Sequence, residues 1–96
     1  MKNNLQNNTP IEEKKLDWKI VQNVMKDKFG SDIFDSWLKK IELIDEYKNY
    51  VLISVSTRFI RDWITSRYLD QILQIVKSFK KDIVRIEFLV DDKKNL

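Results

Sequence analysis

The 96-residue sequence has no cysteine and no histidine, and it has one glycine and one proline. Without cysteine there is neither a disulfide framework nor a thiolate nucleophile, and carboxylates are the remaining candidate metal ligands. No grouping of carboxylates resembles a metal site, so we expect no metal and no cofactor. The one glycine, Gly30, excludes a glycine-rich phosphate loop, and we do not expect this chain to hydrolyse ATP.

Long hydrophobic runs are also missing. No apolar stretch approaches the roughly 20 residues that span a bilayer, and the first ten residues, MKNNLQNNTP, lack the apolar segment of a signal peptide. We therefore expect a soluble, cytoplasmic protein with no membrane partner. The composition, with 43% hydrophobic residues, supports one domain. We place it at residues 16–90, between a disordered or partly helical arm at 1–15 and a flexible tail or linker at 91–96.

The net charge gives little indication of function. The net charge of +3 is too small to indicate nucleic-acid binding by itself, and acidic residues interrupt the basic second half. The pairs Asp32 with Asp35 and Asp91 with Asp92 could in principle provide two catalytic carboxylates. A helix turn and a tail are their ordinary settings, so we expect no enzyme.

Two starts compete for the first helix. Thr9-Pro10-Ile11-Glu12 is a capping box with proline at the first helical position. Alternatively, Asp17 can cap a later helix, with Leu16 packing against Val21 as a hydrophobic staple. The second start coincides with the onset of helical amphipathicity. We expect this helix to end at Gly30 in a left-handed conformation, and Ser31 to cap a short second helix. Its apolar face is formed by Phe34, Trp37, Leu38 and Ile41.

The remaining patterns predict a hairpin, a long helix and a strand. Apolar segments at 41–45 and 49–55 flank the turn-forming residues 46–49, and residues 83–90 alternate as a half-buried strand does. Between them, steps of three or four from Ile60 to Phe79 predict a helix with a break allowed at Thr65-Ser66. The order is ααββαβ, an α+β fold with a three-stranded sheet covered on one side by helices. Seven aromatics are core candidates: Trp18, Phe29, Phe34, Trp37, Phe59, Trp63 and Phe88.

The segment VLISVSTRFIRDWI at 51–64 carries the main functional indication. Strand periodicity changes to helical periodicity at Ser56-Thr57, where a hydroxyl can cap the helix. The first two turns then carry Arg58, Phe59, Arg61 and Trp63, which fit a contact with protein or nucleic acid. An ordinary helix that docks Phe59 and Trp63 into a core is the alternative. If Ile60 and Ile64 line the core, helical geometry directs Phe59 towards the rim.

Between Asp17 and Val90 the chain resembles the N-terminal domain of the bacterial chromosomal replication initiator DnaA. The resemblance rests on Trp18 at the start of the first helix and on an FGxxxFxSW segment that ends at Trp37. It rests above all on TRFIRDWI followed by RYL, at 57–64 and 67–69. It implies a small fold similar to the KH domain and a protein-interaction module for assembly of the initiator. The implied partners are the replicative helicase, regulators of initiator assembly and further copies of the initiator, as a weak homodimer or oligomer.

The resemblance also implies roles for individual residues. Trp18 matches a tryptophan implicated in self-association, and a patch with Val21, or Ile20 in its place, and Met25 would extend it along the first helix. The alternative is that Trp18 is a core residue.

Phe59 matches a phenylalanine implicated in helicase contact, with Arg58 and Asp62 as its polar neighbours. In some members, a glutamate of the second helix contacts the helicase or DNA. Ile33, next to Asp32, stands at that position here, so this sequence departs from the family pattern for helicase contact through the second helix.

Two alternative functions stay open. A KH-like fold can bind single-stranded nucleic acid, but KH domains use a GxxG loop, and the matching junction at residues 29–32 has one glycine and an acidic residue. Stacking on an exposed Trp63 or Tyr68 beside Arg67 would still give weak, salt-sensitive binding of single-stranded DNA. The other alternative is a free-standing regulator that competes with a full-length initiator. A natural reading frame that continues past Leu96 would instead identify the sequence as a fragment of an initiator.

Overall fold

The computed structural model describes residues 15–91. Helix α1 covers Trp18–Phe29, and helix α2 begins as Ser31–Ile33 and continues as a wider π-helical turn, Phe34–Leu38. Two strands, β1 (Glu42–Glu46) and β2 (Tyr50–Val55), precede helices α3 (Arg58–Arg67) and α4 (Leu69–Phe79), and strand β3 (Arg85–Val90) follows. The order ααββαβ and the α+β class are confirmed, with the last helical region divided into α3 and α4.

Helix α1 begins where the aspartate cap was predicted. The Asp17 carboxylate accepts hydrogen bonds from the backbone N–H groups of Lys19 and Ile20, and Leu16 is buried in the core together with Val21. These bonds satisfy N–H groups that have no partner within the helix. The competing start at residues 9–12 and the predicted arm and tail lie outside the described residues, apart from Lys15 and Asp91.

The junction between α1 and α2 differs in two details from the prediction. Gly30 has a positive φ of 91°, but its ψ of 159° places it in the extended region that glycine almost alone adopts, not in the left-handed helical region. Ser31 makes no capping hydrogen bond and is the first residue of α2 instead of its cap. The chain therefore reverses through backbone conformation at Gly30, without help from a side chain.

The sheet has the order β1-β2-β3, with β1 antiparallel and β3 parallel to the central strand. In β2, Val51, Ile53 and Val55 are buried towards the helices, and each lies beside a half-buried partner in β3: Ile86, Phe88 and Val90, respectively. The alternate β3 residues are exposed. The predicted hairpin and the half-buried last strand are therefore confirmed, although β3 begins at Arg85, after the buried Ile83.

Helix α3 starts immediately after β2. Thr57 has extended backbone angles, and its hydroxyl accepts a hydrogen bond from the N–H of Ile60 at 3.1 Å, as predicted for the cap. The break in the helical region falls at Tyr68 and not at Thr65-Ser66. The hydroxyls of Thr65 and Ser66 donate to carbonyls of α3, so these residues stay within the helix.

The core lies between the sheet and the helices and consists mainly of aliphatic side chains. The fully buried large residues are Met25, Leu38, Ile53, Ile64, Ile72, Ile83, Val21, Val51 and Val76. Of the seven aromatic core candidates Phe34 is buried, whereas five others are half-buried against the core. Phe59 is not a core residue, because 67% of its surface is exposed.

Candidate docking surface

Five aromatic side chains form a continuous row across the helical side of the domain: Phe59, Trp37, Trp63, Tyr68 and Phe29. The ring centroids of Phe59 and Trp37 are 5.8 Å apart, and those of Trp37 and Trp63 are 3.9 Å apart with the planes nearly parallel. Trp63 contacts Tyr68 at 4.8 Å, and Tyr68 contacts Phe29 edge-on at 5.1 Å. We call these five residues the aromatic row.

The five members of the aromatic row come from four parts of the chain. Phe29 ends α1, Trp37 lies in the π-helical turn, and Tyr68 separates α3 from α4. Phe59 and Trp63 are four residues apart on α3 and therefore share one of its faces. The π-helical turn places Trp37 between the buried Phe34 and Leu38, with its ring against α3. The row therefore joins three helices through their side chains.

Phe59 is the exposed end of the aromatic row. Its neighbours in the helix, Ile60 and Ile64, are half-buried and buried, which turns Phe59 towards the rim as the helical geometry predicts. The Thr57 cap holds the first turn of α3, and Trp37 supports the Phe59 ring from one side. The result is a large apolar side chain that is exposed and yet held in place.

Two exposed charged residues of α3 lie close to Phe59 in the sequence. Arg58 is exposed in the same turn of α3, and Asp62 is exposed one turn later, where it pairs with Arg61 at 3.1 Å. Both predicted neighbours therefore lie beside Phe59, although Asp62 already has a partner. Exposed ion pairs of this kind add little stability, so a binding partner could replace Arg61 at low cost.

A small cavity of about 160 Å³ lies next to the aromatic row. It is lined by Asp35, Ser36, Trp37, Lys40, Ile41, Val55, Ser56 and Ile60. Trp37 and Ile60 connect it to Phe59, because Trp37 contacts Phe59 and Ile60 follows it in the chain. The cavity and the exposed ring together form an uneven surface with one protruding group and one depression.

Asp32 and Ile33 are neither members of the aromatic row nor among the residues that line the cavity beside it. Asp32 is exposed at the start of α2, and Ile33 is half-buried against the core. Trp37, which follows on the same element, is the residue of α2 that the structure brings to Phe59.

The predicted self-association patch on α1 is only partly at the surface. Trp18 is half-buried, and its Nε1 donates to the backbone oxygen of Ile41 at 3.1 Å, whereas Ile20 is exposed. The inclusion of Val21 and Met25 in this patch is wrong, because both are completely buried. Their positions on the helix direct them inwards, where they fill the core beneath Trp18. Trp18 and Ile20 remain as surface residues.

The residues predicted to stack on nucleic-acid bases have other partners. Trp63 stacks on Trp37, and Tyr68 packs between Trp63 and Phe29. Within residues 15–91 there is no group of three or more acidic side chains that could hold a metal ion, and no helix there is long and apolar enough to cross a membrane.

Sequence reasoning missed the Trp37–Trp63 stack that organises the aromatic row. Both residues are core candidates in the sequence, and both are half-buried in the structure. Their pairing depends on how α2 and α3 pack, which a linear pattern does not encode. The clustering of three aromatics within nine residues, at 29–37, was the available signal.

Comparison with known proteins agrees with this structure. The family model of the DnaA N-terminal domain matches residues 17–78. The chain is 35% identical over 78 residues to the chromosomal replication initiator protein DnaA of Wolbachia sp. subsp. Brugia malayi, covering 81% of this chain and 17% of that protein. It is 36% identical over 78 residues, with the same coverage, to DnaA of Wolbachia pipientis wMel.

DnaA of Rhizobium meliloti is 38% identical over 66 residues, which cover 69% of this chain and 14% of that protein. The chain therefore spans less than a fifth of the length of these relatives. The family match covers most of the described domain and includes α1, the hairpin, α3 and nearly all of α4. This chain belongs to the DnaA N-terminal domain family.

Proposed function

We propose that this chain is a protein-interaction module of a bacterial replication initiator, and that the exposed end of the aromatic row is the surface that captures the replicative helicase. The observation that carries the proposal is the combination of high exposure and fixed position at Phe59, with Trp37 behind its ring. Regulators of initiator assembly are candidate partners of the same surface.

The energetics of protein interfaces support this role. Interface hot spots are typically aromatic or arginine side chains that fill a pocket of the partner within a polar rim. Phe59 is such an anchor, and Arg58 and Asp62 provide the rim. Because Trp37 and the Thr57 cap already restrict the ring and its helix turn, less conformational entropy is lost on docking than for a flexible side chain.

A second candidate function, weak self-association, rests on a different surface. Ile20 is 48% exposed, and the half-buried Trp18 lies two residues before it in the first turn of α1. An exposed isoleucine and an indole that reaches the surface in the same helical turn offer a small apolar contact between two copies. The patch would consist of Trp18 and Ile20 and would exclude the buried Val21 and Met25.

The helicase proposal is tested by a pull-down of the cognate replicative helicase on immobilised wild type and Phe59→Ala. Leu89→Ala is the matched control, because Leu89 is 45% exposed but lies on β3, outside the aromatic row. We expect Phe59→Ala to lose the helicase and Leu89→Ala to retain it. Retention by both variants, or loss by both, would contradict the assignment of the surface.

Self-association is tested by sedimentation at matched concentrations. Ile20→Ala removes an exposed side chain without touching the core, whereas Trp18→Ala also removes the hydrogen bond to Ile41 and packing against the core. We expect wild type to form a weak dimer and both variants to be monomers, with Ile20→Ala keeping the wild-type melting temperature. A monomeric wild type would exclude the patch.

A further inference from the structure

A second surface, distinct from the aromatic row, lies at the opposite end of the central strand. It is an open groove of about 870 Å³ between the hairpin turn and the C-terminal end of α4. Its polar and charged residues are Lys15, Glu46, Tyr47, Lys48, Lys77, Ser78, Lys80, Lys81 and Asp82, and Phe79 completes the lining. We call it the lysine groove. It adjoins the start of β2, whereas the cavity beside Trp37 adjoins the end of that strand.

The lysine groove concentrates the positive charge of the protein. Its five lysines and two carboxylates leave an excess of three positive charges, which equals the net charge of the complete sequence. Outside the groove, the remaining Lys and Arg residues are therefore matched in number by the remaining Asp and Glu residues. The groove thus creates a local positive field in a chain that is otherwise balanced, and such a field attracts an anionic partner.

One carboxylate is already bound in the lysine groove by the groove's own groups. Glu46 Oε2 accepts from Lys80 Nζ at 2.6 Å, Glu46 Oε1 accepts from the backbone N–H of Leu16 at 2.8 Å, and the Glu46 side chain is only 8% exposed. Lys80 is therefore already paired within the domain. Among residues 15–91, the other four lysines of the groove have no carboxylate within ion-pair distance, so their ammonium groups are available to a ligand.

The groove also has apolar edges. Phe79 and Tyr47 are each more than 40% exposed, and the Tyr47 ring stacks on Tyr50, which lies under the guanidinium of Arg85. The stack holds the Tyr47 ring at the edge of the groove. A ligand that carries both negative charges and apolar side chains would use the lysines and these two rings together.

We propose that the lysine groove binds an acidic peptide segment of a partner protein that carries apolar residues between its carboxylates. A peptide is favoured over single-stranded nucleic acid because the exposed carboxylate of Asp82 interrupts the positive surface. A continuous phosphate backbone would have to pass this carboxylate, whereas a peptide can place a neutral residue beside it. The two surfaces lie at opposite ends of β2, so the domain can hold this segment and a second partner at the same time.

The test is a fluorescence-anisotropy titration of the complete 96-residue chain with a labelled hexaglutamate peptide, a hexaglutamine peptide and an oligothymidylate of similar length. We expect the hexaglutamate peptide to bind at low salt and to be released as salt is added, because exposed charges are screened. We expect the neutral peptide not to bind. No binding of hexaglutamate at low salt, or tighter binding of the oligothymidylate, would overturn the proposal.

Matched charge variants locate the site. Lys77→Glu combined with Lys81→Glu alters the groove, whereas Lys28→Glu combined with Lys39→Glu alters exposed lysines elsewhere and changes the net charge equally. Lys77 and Lys28 both lie in the last turn of a helix, so the effect on helix stability is similar. The groove variant should bind the peptide about tenfold more weakly and the control less than about threefold.

Equal loss in the two variants would mean that binding follows net charge alone, and the proposal would be wrong. Lys77→Gln combined with Lys81→Gln keeps the comparison usable if the glutamate variant does not fold. Phe59→Ala should bind the peptide as wild type does, so failure of the lysine groove and failure of the helicase surface give different results.

Discussion

The indole rings of Trp37 and Trp63 lie face to face, with centroids 3.9 Å apart and an angle of 11° between their planes. One ring belongs to the π-helical turn of α2 and the other to α3, so the stack is a direct tie between these two elements. It also supports Phe59, which contacts Trp37 and is itself largely exposed. The same pair therefore contributes to both stability and the shape of the docking surface.

The stack predicts strong and coupled effects of substitution. Trp63→Ala should lower the free energy of unfolding by roughly 3 kcal/mol, because it leaves a cavity beside the core. Trp37→Ala should also destabilise the domain, and the double variant should lose less than the sum of the two single losses, by about 0.5–1.5 kcal/mol. Denaturant unfolding of the three variants and wild type measures the coupling. Additive losses would show that the stack contributes nothing beyond the burial of each ring.

The backbone conformation of Gly30 predicts a loss of stability on substitution that does not depend on side-chain packing. A Cβ atom at this position would meet nothing within 4 Å, so Gly30→Ala costs only the strain of its positive φ, about 1–3 kcal/mol. Ser31→Ala is the control, since Ser31 makes no capping hydrogen bond and should change stability by less than about 0.5 kcal/mol. Thermal melts of both variants measure the two losses of stability. A larger loss for Ser31→Ala than for Gly30→Ala would reverse the assignment of these two residues.

Glu46 predicts a dependence of stability on pH. Burial alone would raise its pKa, but the hydrogen bonds from Lys80 and from the Leu16 N–H and the charges of Lys80 and Lys15 outweigh burial and lower it. The unfolded chain therefore takes up this proton before the folded domain does. The stability contributed by the Glu46 carboxylate is complete above its ordinary pKa of 4.5 and is lost as the pH falls through the lowered value.

Glu46→Gln is the variant that measures this contribution. It should be less stable than wild type at neutral pH, by about 1–3 kcal/mol, because the buried hydrogen-bonding groups lose a charged partner. The difference should shrink as the pH falls below the ordinary pKa of 4.5 and through the lowered value. Urea unfolding at a series of pH values gives both curves. A constant difference at all pH values would mean that another group sets the acid sensitivity.

Nucleic acid should be a minor partner. The helix junction has one glycine in place of a GxxG loop, and Trp63 and Tyr68 are engaged within the aromatic row. We expect single-stranded DNA to bind no more tightly than about micromolar at physiological salt. A filter-binding titration is sufficient to test this. Submicromolar affinity that persists at that salt would favour the nucleic-acid alternative over the protein-interaction module.

Local signals in the sequence predicted most of the fold. The Asp17 and Thr57 caps, the hairpin and the half-buried last strand are each encoded within a few neighbouring residues, and the structure has all four. Where the structure differs from these predictions, packing between distant parts of the chain determines the conformation. The break at Tyr68 places the Tyr68 ring between Trp63 and Phe29, so it joins the end of α3 to the distant end of α1.

The candidate site was predictable only in part for the same reason. The period of α3 and the burial of Ile64 are enough to turn Phe59 outwards. Burial of Val21 and Met25 required knowing which face of α1 meets the core, and the pattern at 18–25 fits either face. The lysine groove brings together Lys15, Lys48 and residues 77–81, which are distant in the sequence, so no local motif predicts it.

The most direct test of the account compares Phe59→Ala and Trp63→Ala in two measurements, thermal unfolding and calorimetric affinity for the cognate replicative helicase. We predict that Phe59→Ala melts like wild type but binds the helicase about 30-fold more weakly, a loss of about 2 kcal/mol, while Trp63→Ala melts at a clearly lower temperature. A Phe59→Ala protein that binds the helicase as wild type does, or that melts like Trp63→Ala, would contradict the claim that Phe59 is an exposed anchor for the partner.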